Sequence, residues 1–367
     1  MKCVYCLKTE TETSFRSEEH IISQCLGGEP FPVITGDFVC DHCNNVTFGR
    51  LETIFKQDTF EGVYAQMLGF SDTVWVNGRY FELSDVGIFN GDMLNSIFPY
   101  LKFVNGKEEI VFRSQLKVKN RGTGFQVFPI EYLSKVLNSG PRKEFEKIKN
   151  RLSKVGLKDL RVFAGSDVKQ LSEEMDACIN IIKQFGVQYK ENERIYEIVD
   201  SEPDKKVTID FRAQFNTVLA RVVAKIAFNY FIYSSIQEGK YYCDALYRSC
   251  FDAIRYFALN GEGEWTDIVT VDTQSPGILD LEITKGKRVV AHTICFYLVD
   301  GVIKAKISLF GKWVYEVSIG AYPFRTIPVN FGCGHAFNPF SKEAYPITKD
   351  KYSITRRIDS GYGWFMI

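Results

Sequence analysis

Histidine is scarce in this chain, with 4 in 367 residues. Any chemistry that uses an imidazole therefore has few places to sit. An excess of either charge is also missing, because 45 basic residues balance 45 acidic ones. A nucleic-acid surface would have to be a local patch rather than a property of the whole molecule. No apolar run is long enough to span a bilayer. The opening Met1-Lys2-Cys3-Val4-Tyr5-Cys6 lacks the apolar core of a signal peptide. The chain is accordingly expected in the cytoplasm with no membrane partner, where cysteines serve as thiols or metal ligands rather than as disulfides. No internal repeat or low-complexity segment occurs, which excludes repeat architectures.

What is present is an ordinary globular composition, 45% hydrophobic and 25% charged, in a chain long enough for two or three domains. The expected class is α+β, with a small N-terminal module over residues 1–60 and a larger mixed body. That body divides into a middle region, 61–200, and a C-terminal region, 201–367, which alternatively form one domain. The division rests on the polar stretch Asp200 to Lys206.

Local patterns give the expected elements. Ile21 and Ile22 are β-branched and favour a short strand near Glu19 to Ile22, with Gly27-Gly28 turning the chain toward a second strand at Gly36 to Val39. Val46, Phe48, Leu51, Ile54 and Phe55 then follow helical spacing. Asn77-Gly78 predicts a hairpin within Val74 to Leu83. Further strands are expected over Phe103 to Val127 and at Leu160 to Ala164, with a helix broken near Gly140-Pro141 between them. Phe215 to Gln237 is the most apolar helix. A β-meander follows over Val289 to Ile319, punctuated by Asp300-Gly301 and Gly311-Lys312, and the tail from Tyr322 reads as irregular.

Four of the ten cysteines form two Cys-x-x-Cys knuckles, Cys3/Cys6 and Cys40/Cys43. Each such turn presents two sulfurs on one face, the usual half of a tetrahedral zinc cage. The long interval between Cys6 and Cys40 leaves room for a functional strand. Within it lies Glu19-His20. Neighbours on a strand point to opposite faces, so the pair cannot chelate one ion as an i, i+4 helix pair would; a twisted strand end could instead aim the carboxylate at a metal and the imidazole at an adjacent water. Asn44, directly after the fourth cysteine, offers a neutral oxygen suited to a hard cation, or a helix N-cap.

Together, Cys3-x-x-Cys6, Glu19-His20-Ile21-Ile22, Gly27-Gly28 and Cys40-x-x-Cys43-Asn44-Asn45 resemble the HNH endonucleases of the ββα-metal type. The likeness is to the subset held by four zinc-binding cysteines, and covers Met1 to about Lys56. It implies structural Zn2+ on Cys3, Cys6, Cys40 and Cys43, and catalytic Mg2+ or Mn2+ on Glu19 and Asn44. His20 is then the general base for hydrolysis of phosphodiester bonds, with DNA, or alternatively RNA, as the partner. Ser23 stands where many members carry proline. The asparagine that often orients the histidine from the second strand is also missing, so Thr35, Asp37 or a carbonyl is expected to do this. Glu52 is a candidate outer ligand, or a solvated helix charge; His42 is a neighbour of the zinc.

The module is itself acidic, so phosphate contacts are sought elsewhere. Arg113, Lys117 and Lys119 lie on an expected strand, and Lys147, Lys149, Arg151 and Lys154 on an expected helix; either set can line a phosphate backbone or be a solvated face. Arg221 and Lys225, i and i+4 in an apolar helix, require acids such as Asp210 or a ligand. Cys333-Gly334-His335 offers half a metal site without a visible second half. The reading is an endonuclease suited to a mobile element, a phage or an anti-phage defence system. Its rivals are a non-catalytic zinc module that binds nucleic acid or protein, and a nuclease subunit silent until an activating partner, or self-assembly into a homo-oligomer, engages the body.

Overall fold

Most of the buried structure forms in two separate places along the chain. This computed structural model describes residues 2–27, 33–34, 38–76, 81–82, 98–104, 107–119, 124–156, 159–164, 171–187, 196–198, 210–211, 215–237, 248–272, 290–322 and 334–347. The class is mixed α+β. One compact unit joins Met1–Phe55 to Phe215–Ile367, and the other is Lys56–Gln214. The sequence placed its divisions near residues 60 and 200, with the N-terminal stretch apart. The first unit is discontinuous because that stretch buries its apolar and acidic side chains against the long helix after Phe215.

The first knuckle is a tight turn in which the Cys3 amide donates to the Lys8 carbonyl at 2.9 Å and the Leu7 amide to the Cys3 carbonyl at 3.0 Å. Leu7 holds the left-handed conformation, φ 63°, that closes it. β1 (Glu19–His20) then pairs antiparallel with β2 (Val33–Ile34), Glu19 opposite Ile34 and His20 opposite Val33. The partner strand is therefore earlier than Gly36 to Val39. Val and Ile are good strand formers, whereas Gly36 and Asp37 are poor ones. Past the second knuckle a widened, π-helical stretch, His42–Phe48, is closed by the Gly49 amide on the Asn44 carbonyl five residues back, and runs into α1 (Gly49–Asp58).

The second unit opens with α2 (Phe60–Met67), capped by the Thr59 hydroxyl, which accepts from the Gly62 amide at 3.1 Å. Its strands are β3 (Val74–Val76), β4 (Phe81–Glu82), β5 (Pro99–Val104), β6 (Lys107–Phe112), β7 (Gln115–Lys119) and β8 (Phe125–Pro129). The helices α3 (Ile130–Ser139) and α4 (Arg142–Leu152) break at Gly140-Pro141, as expected. β9 (Leu160–Ala164), α5 (Leu171–Gln184), β10 (Tyr196–Ile198) and β11 (Asp210–Phe211) complete it. A five-stranded sheet runs β10-β9-β7-β8-β3, and its core packs Leu116, Val118 and Phe128 against Leu133, Ile148 and Ile182 of the three helices. The turn of the expected hairpin, Asn77-Gly78, lies outside the described residues; among the described residues β3 pairs with β8 and β4 with β11. Val74 is buried opposite Val127 in this sheet. Residues 77–80 and the polar stretch 200–206 lie outside the described residues.

The first unit resumes with α6 (Thr217–Gln237), then α7 (Asp252–Asn260), α8 (Trp265–Ile268) and β12 (Val269–Asp272). β13 (His292–Val299), β14 (Val302–Leu309) and β15 (Trp313–Ala321) form the expected meander. Asp300 (φ 50°) and Gly301 (φ 76°) make the two-residue turn whose paired positive φ suits strand twist. The tail is more regular than expected, since β16 (Gly334–Asn338) and β17 (Glu343–Ile347) extend the sheet to the order β12-β15-β14-β13-β16-β17, antiparallel throughout. No helix among the described residues is long and apolar enough to cross a membrane.

α6 is apolar around most of its circumference, the mark of a helix buried on all sides. Tyr230 and Phe231 pack on Phe296 of the sheet. Lys225, Phe228 and Asn229, at i, i+3 and i+4, form the stripe that meets the N-terminal residues.

Candidate functional site

Four sulfurs converge first. The ligand atoms of Cys3, Cys6, Cys40 and Cys43 all lie within 4.8 Å of one another. Cys3 and Cys43 sulfurs are 3.8 Å apart, and Cys6 and Cys40 sulfurs 3.7 Å. A tetrahedral zinc with Zn–S of about 2.3 Å would separate its sulfurs by roughly 3.8 Å, so the cage could hold a structural metal such as zinc. Contact with Cys43 lowers the Cys3 thiol to about 5, while burial raises Cys6 to about 11. The hydrogen bond with Cys3, then burial, pushes Cys43 well above the thiol range. Sulfurs this close cannot all ionise unless a cation shares their charge.

The cage fixes what lies between its knuckles. Asp41, inside the second knuckle, accepts from the Ser14 hydroxyl (2.6 Å), the Arg16 and Ser17 amides (2.8 Å each) and the Ser17 hydroxyl (2.7 Å). These bonds hold its carboxyl well below the ordinary range, Ser14 contributing most. Asn44 continues the clamp: its amide nitrogen donates to the Glu18 carbonyl at 2.8 Å and the Ser17 hydroxyl at 3.2 Å. Asn45 donates to the same hydroxyl at 3.3 Å. The chain is thereby pinned just before β1.

β1 sends its two functional side chains apart. Glu19 is 1% exposed and faces α6, and His20 is half-buried on the other side. The Gln24 amide nitrogen donates to His20 Nε2 at 2.8 Å, which leaves the ring proton on Nδ1. Gln24 is the described side chain that orients the ring in this way; Thr35 and Asp37 lie outside the described residues. Behind it, a short 3-10 turn over Gln24–Leu26 ends at Gly27 (φ 84°). The Leu26 carbonyl accepts from His292 Nε2 on β13 at 3.0 Å.

Glu19 meets Lys225. The Lys225 ammonium lies 2.5 Å from Glu19 Oε1, also pairs with Glu52 of α1, and sits 5.3 Å from the centre of the Phe48 ring. Asn229 donates to Glu19 Oε1 at 3.0 Å and to the His20 carbonyl at 3.3 Å. It accepts from Tyr5, a residue within the first knuckle, at 2.6 Å. Burial alone would lower Lys225, but Glu19 and then Glu52 hold it above the ordinary lysine range. Burial pushes Glu19 up, Lys225 opposes this and Glu52 adds to it. The two directions have different causes, burial for Glu19 and the two carboxylates for Lys225, and two carboxylates share one ammonium.

The acids that partner Lys225 are thus Glu19 and Glu52, and Glu52 is more than a solvated helix charge. Arg221 instead donates to the Ala258 and Leu259 carbonyls at 3.2 and 2.5 Å, closing the end of α7. His335 binds the Tyr230 hydroxyl through Nδ1 at 2.6 Å; Cys333 lies outside the described residues. His42 is exposed.

The resemblance implies a divalent ion on Glu19 and Asn44. Glu19 Oε2 is buried and accepts no hydrogen bond among the described residues, and Asn44 is bonded to the residue preceding Glu19. Carboxylate and amide oxygens are the donor types that hard cations such as magnesium take.

The basic candidates lie in the second unit and fare differently. Lys117 is fully buried, its ammonium 3.8 Å over the Phe125 ring. It is withdrawn as a phosphate contact. Arg113 lies over Tyr100 and is partly buried, whereas Lys119 is exposed. Lys147, Lys149 and Lys154 are exposed and Arg151 is half-buried beside Trp75. Ile148 and Leu152 anchor the opposite face of α4 in the core.

Sequence reasoning missed Asp41, Asn229, Gln24 and His292. Asp41 had a signal, an acid within a knuckle. The others become visible only once distant segments meet. No protein-family model, no curated protein and no solved structure matches the chain.

Proposed function

We propose that the N-terminal residues form a zinc-stapled endonuclease module of the HNH type, which hydrolyses phosphodiester bonds in DNA. The observation that carries this reading is the clamp of Asp41 and Asn44. A cage of four sulfurs fixes both residues, and they in turn fix the backbone that presents Glu19 and His20.

His20 takes a proton from a water as the water oxygen bonds phosphorus and the 3′-oxygen departs. A lone pair at Nε2 is the state this requires, and Gln24 supports that tautomer by donating to the same atom. Water must displace the Gln24 amide, so Gln24 holds the ring in the resting state. Glu19 and Asn44 would hold a divalent ion, which would supply neutralisation of the charge building on the phosphoryl oxygens. Zinc on the four cysteines keeps the clamp rigid and takes no part in the chemistry.

Supercoiled plasmid is the test substrate, with magnesium, with manganese and with chelator. Wild-type protein nicks or linearises it only with a divalent ion, and His20→Ala loses about 10²–10⁴-fold in rate while keeping its fold. A variant that cleaves at the wild-type rate moves the base elsewhere. A second reading is a zinc module without catalysis. It draws on the burial of Glu19 against Lys225, and absence of cleavage under every metal condition selects it.

A further inference from the structure

We propose that Glu19 and Glu52 together form a divalent-cation site, and that Lys225 is the cation resident on it in the structure. This deepens the nuclease reading by adding a carboxylate ligand from α1 and a competitor from α6. It rests on that reading only for the assignment of Glu19.

Three observations converge. Lys225 is seated between a carboxylate on β1 and a carboxylate on α1. One ammonium cannot balance two carboxylates, so the trio carries one surplus negative charge when both are ionised. That surplus has a definite place, because Glu19 Oε2 is buried without a hydrogen-bond partner. A carboxylate oxygen left bare at 1% exposure is costly unless a proton or cation reaches it.

A purely structural ion pair would give no reason for the second acid. Lys225 and Glu19 alone would balance, and Asn229 already satisfies Oε1. Glu52 is 24% exposed, so the cluster opens to solvent on the α1 side. An ion entering there meets Glu52 first and the bare Oε2 of Glu19 behind it. With a divalent ion bound, the ammonium is no longer needed for charge balance and its four-carbon stem can swing aside. Oxygen-only coordination suits magnesium or manganese, and neither competes well with zinc for the thiolates.

Manganese binding, read by electron paramagnetic resonance on the zinc-loaded full chain without DNA, tests the site directly. Lys225→Met should bind Mn2+ at least about tenfold more tightly than wild type. Adding Glu52→Gln to it should reverse that gain. Equal affinity in wild type and Lys225→Met, including no binding in either, overturns the proposal. Lys225→Met takes the ammonium from the buried Glu19 and the partly exposed Glu52 and could fail to fold; folding restored by supplied Mn2+ supports the site. If it folds under neither condition, Glu52→Gln in the wild-type background decides. Weaker Mn2+ binding than wild type supports the site, and the same binding, or none in both, overturns it. His20→Ala keeps the wild-type Mn2+ response, so loss of cleavage there with an intact manganese signal separates the nuclease reading from this one.

Discussion

Acid should loosen the turn behind His20 through a single buried imidazole. His292 is fully buried at the start of β13 and uses both ring nitrogens: Nε2 donates to the Leu26 carbonyl and Nδ1 accepts the Phe310 amide at 3.3 Å. Its ring meets that of Phe310 edge-on, with centroids 4.4 Å apart. Only the neutral ring fits, because a proton on Nδ1 would face the Phe310 N–H. Burial accordingly lowers its pKa from 6.5 to about 4. The folded value lies below the unfolded one, so the unfolded chain binds the proton first as the pH falls. The contribution is whole above about pH 6.5, declines below it, and is lost by about pH 4. At about 1.4 kcal/mol per unit the interval is worth about 3 kcal/mol.

The measurement is urea unfolding of zinc-loaded protein between pH 7 and pH 4.5, on wild type and on His292→Gln. The glutamine amide can still donate to Leu26 but removes the Nδ1 acceptor that the Phe310 amide uses, so the variant starts about 1–3 kcal/mol less stable at pH 7. Its further loss on acidification should be smaller than wild type's, and the two curves should converge. Protonation of the cysteine cage affects both proteins alike and cancels in the difference. Parallel curves over this range would refute the argument and assign the acid sensitivity to other groups.

Cys43→Ser should abolish stoichiometric zinc in elemental analysis and lower the stability of the first unit, because a module this small depends on its metal to stay folded; a full zinc complement in the variant would dissolve the cage. Asp41→Asn keeps the shape but loses the charge that gathers Ser14, Arg16 and Ser17. It should leave zinc bound while reducing cleavage, and unchanged turnover would show that the clamp does not position His20. Replacing Lys147, Arg151 and Lys154 together should weaken DNA binding across all sequences and flatten the slope of log affinity against log salt by about 0.9 per lost contact. An unchanged slope makes α4 a solvated face.

What could be read from the sequence was what short spacing determines. The two knuckles, the break at Gly140-Pro141 and the turn at Asp300-Gly301 each depend on residues a few positions apart, and each appears where expected. The pairing of β3 with β8, about fifty residues on, depends instead on distant segments, and no short spacing announces it. Lys117 fails because alternation assumes one wet face, and its side chain is fully buried.

The site divides along the same line. That a cation within α6 must have a partner followed from burial alone; which partner it has could not. Lys225 reaches Glu19 across more than two hundred residues and Glu52 across 173, and no periodicity encodes such a meeting. Once made, it changes the meaning of Glu19. Read in the sequence, the acid before a histidine is a metal ligand awaiting its ion. In the folded chain that acid already holds an ammonium on one oxygen and leaves the other bare. The C-terminal region of the first unit therefore does more than surround the N-terminal residues. Through Lys225 and Asn229 it touches the carboxylate and the backbone of the two residues on which the proposed chemistry depends, and any event that shifts α6 must change both.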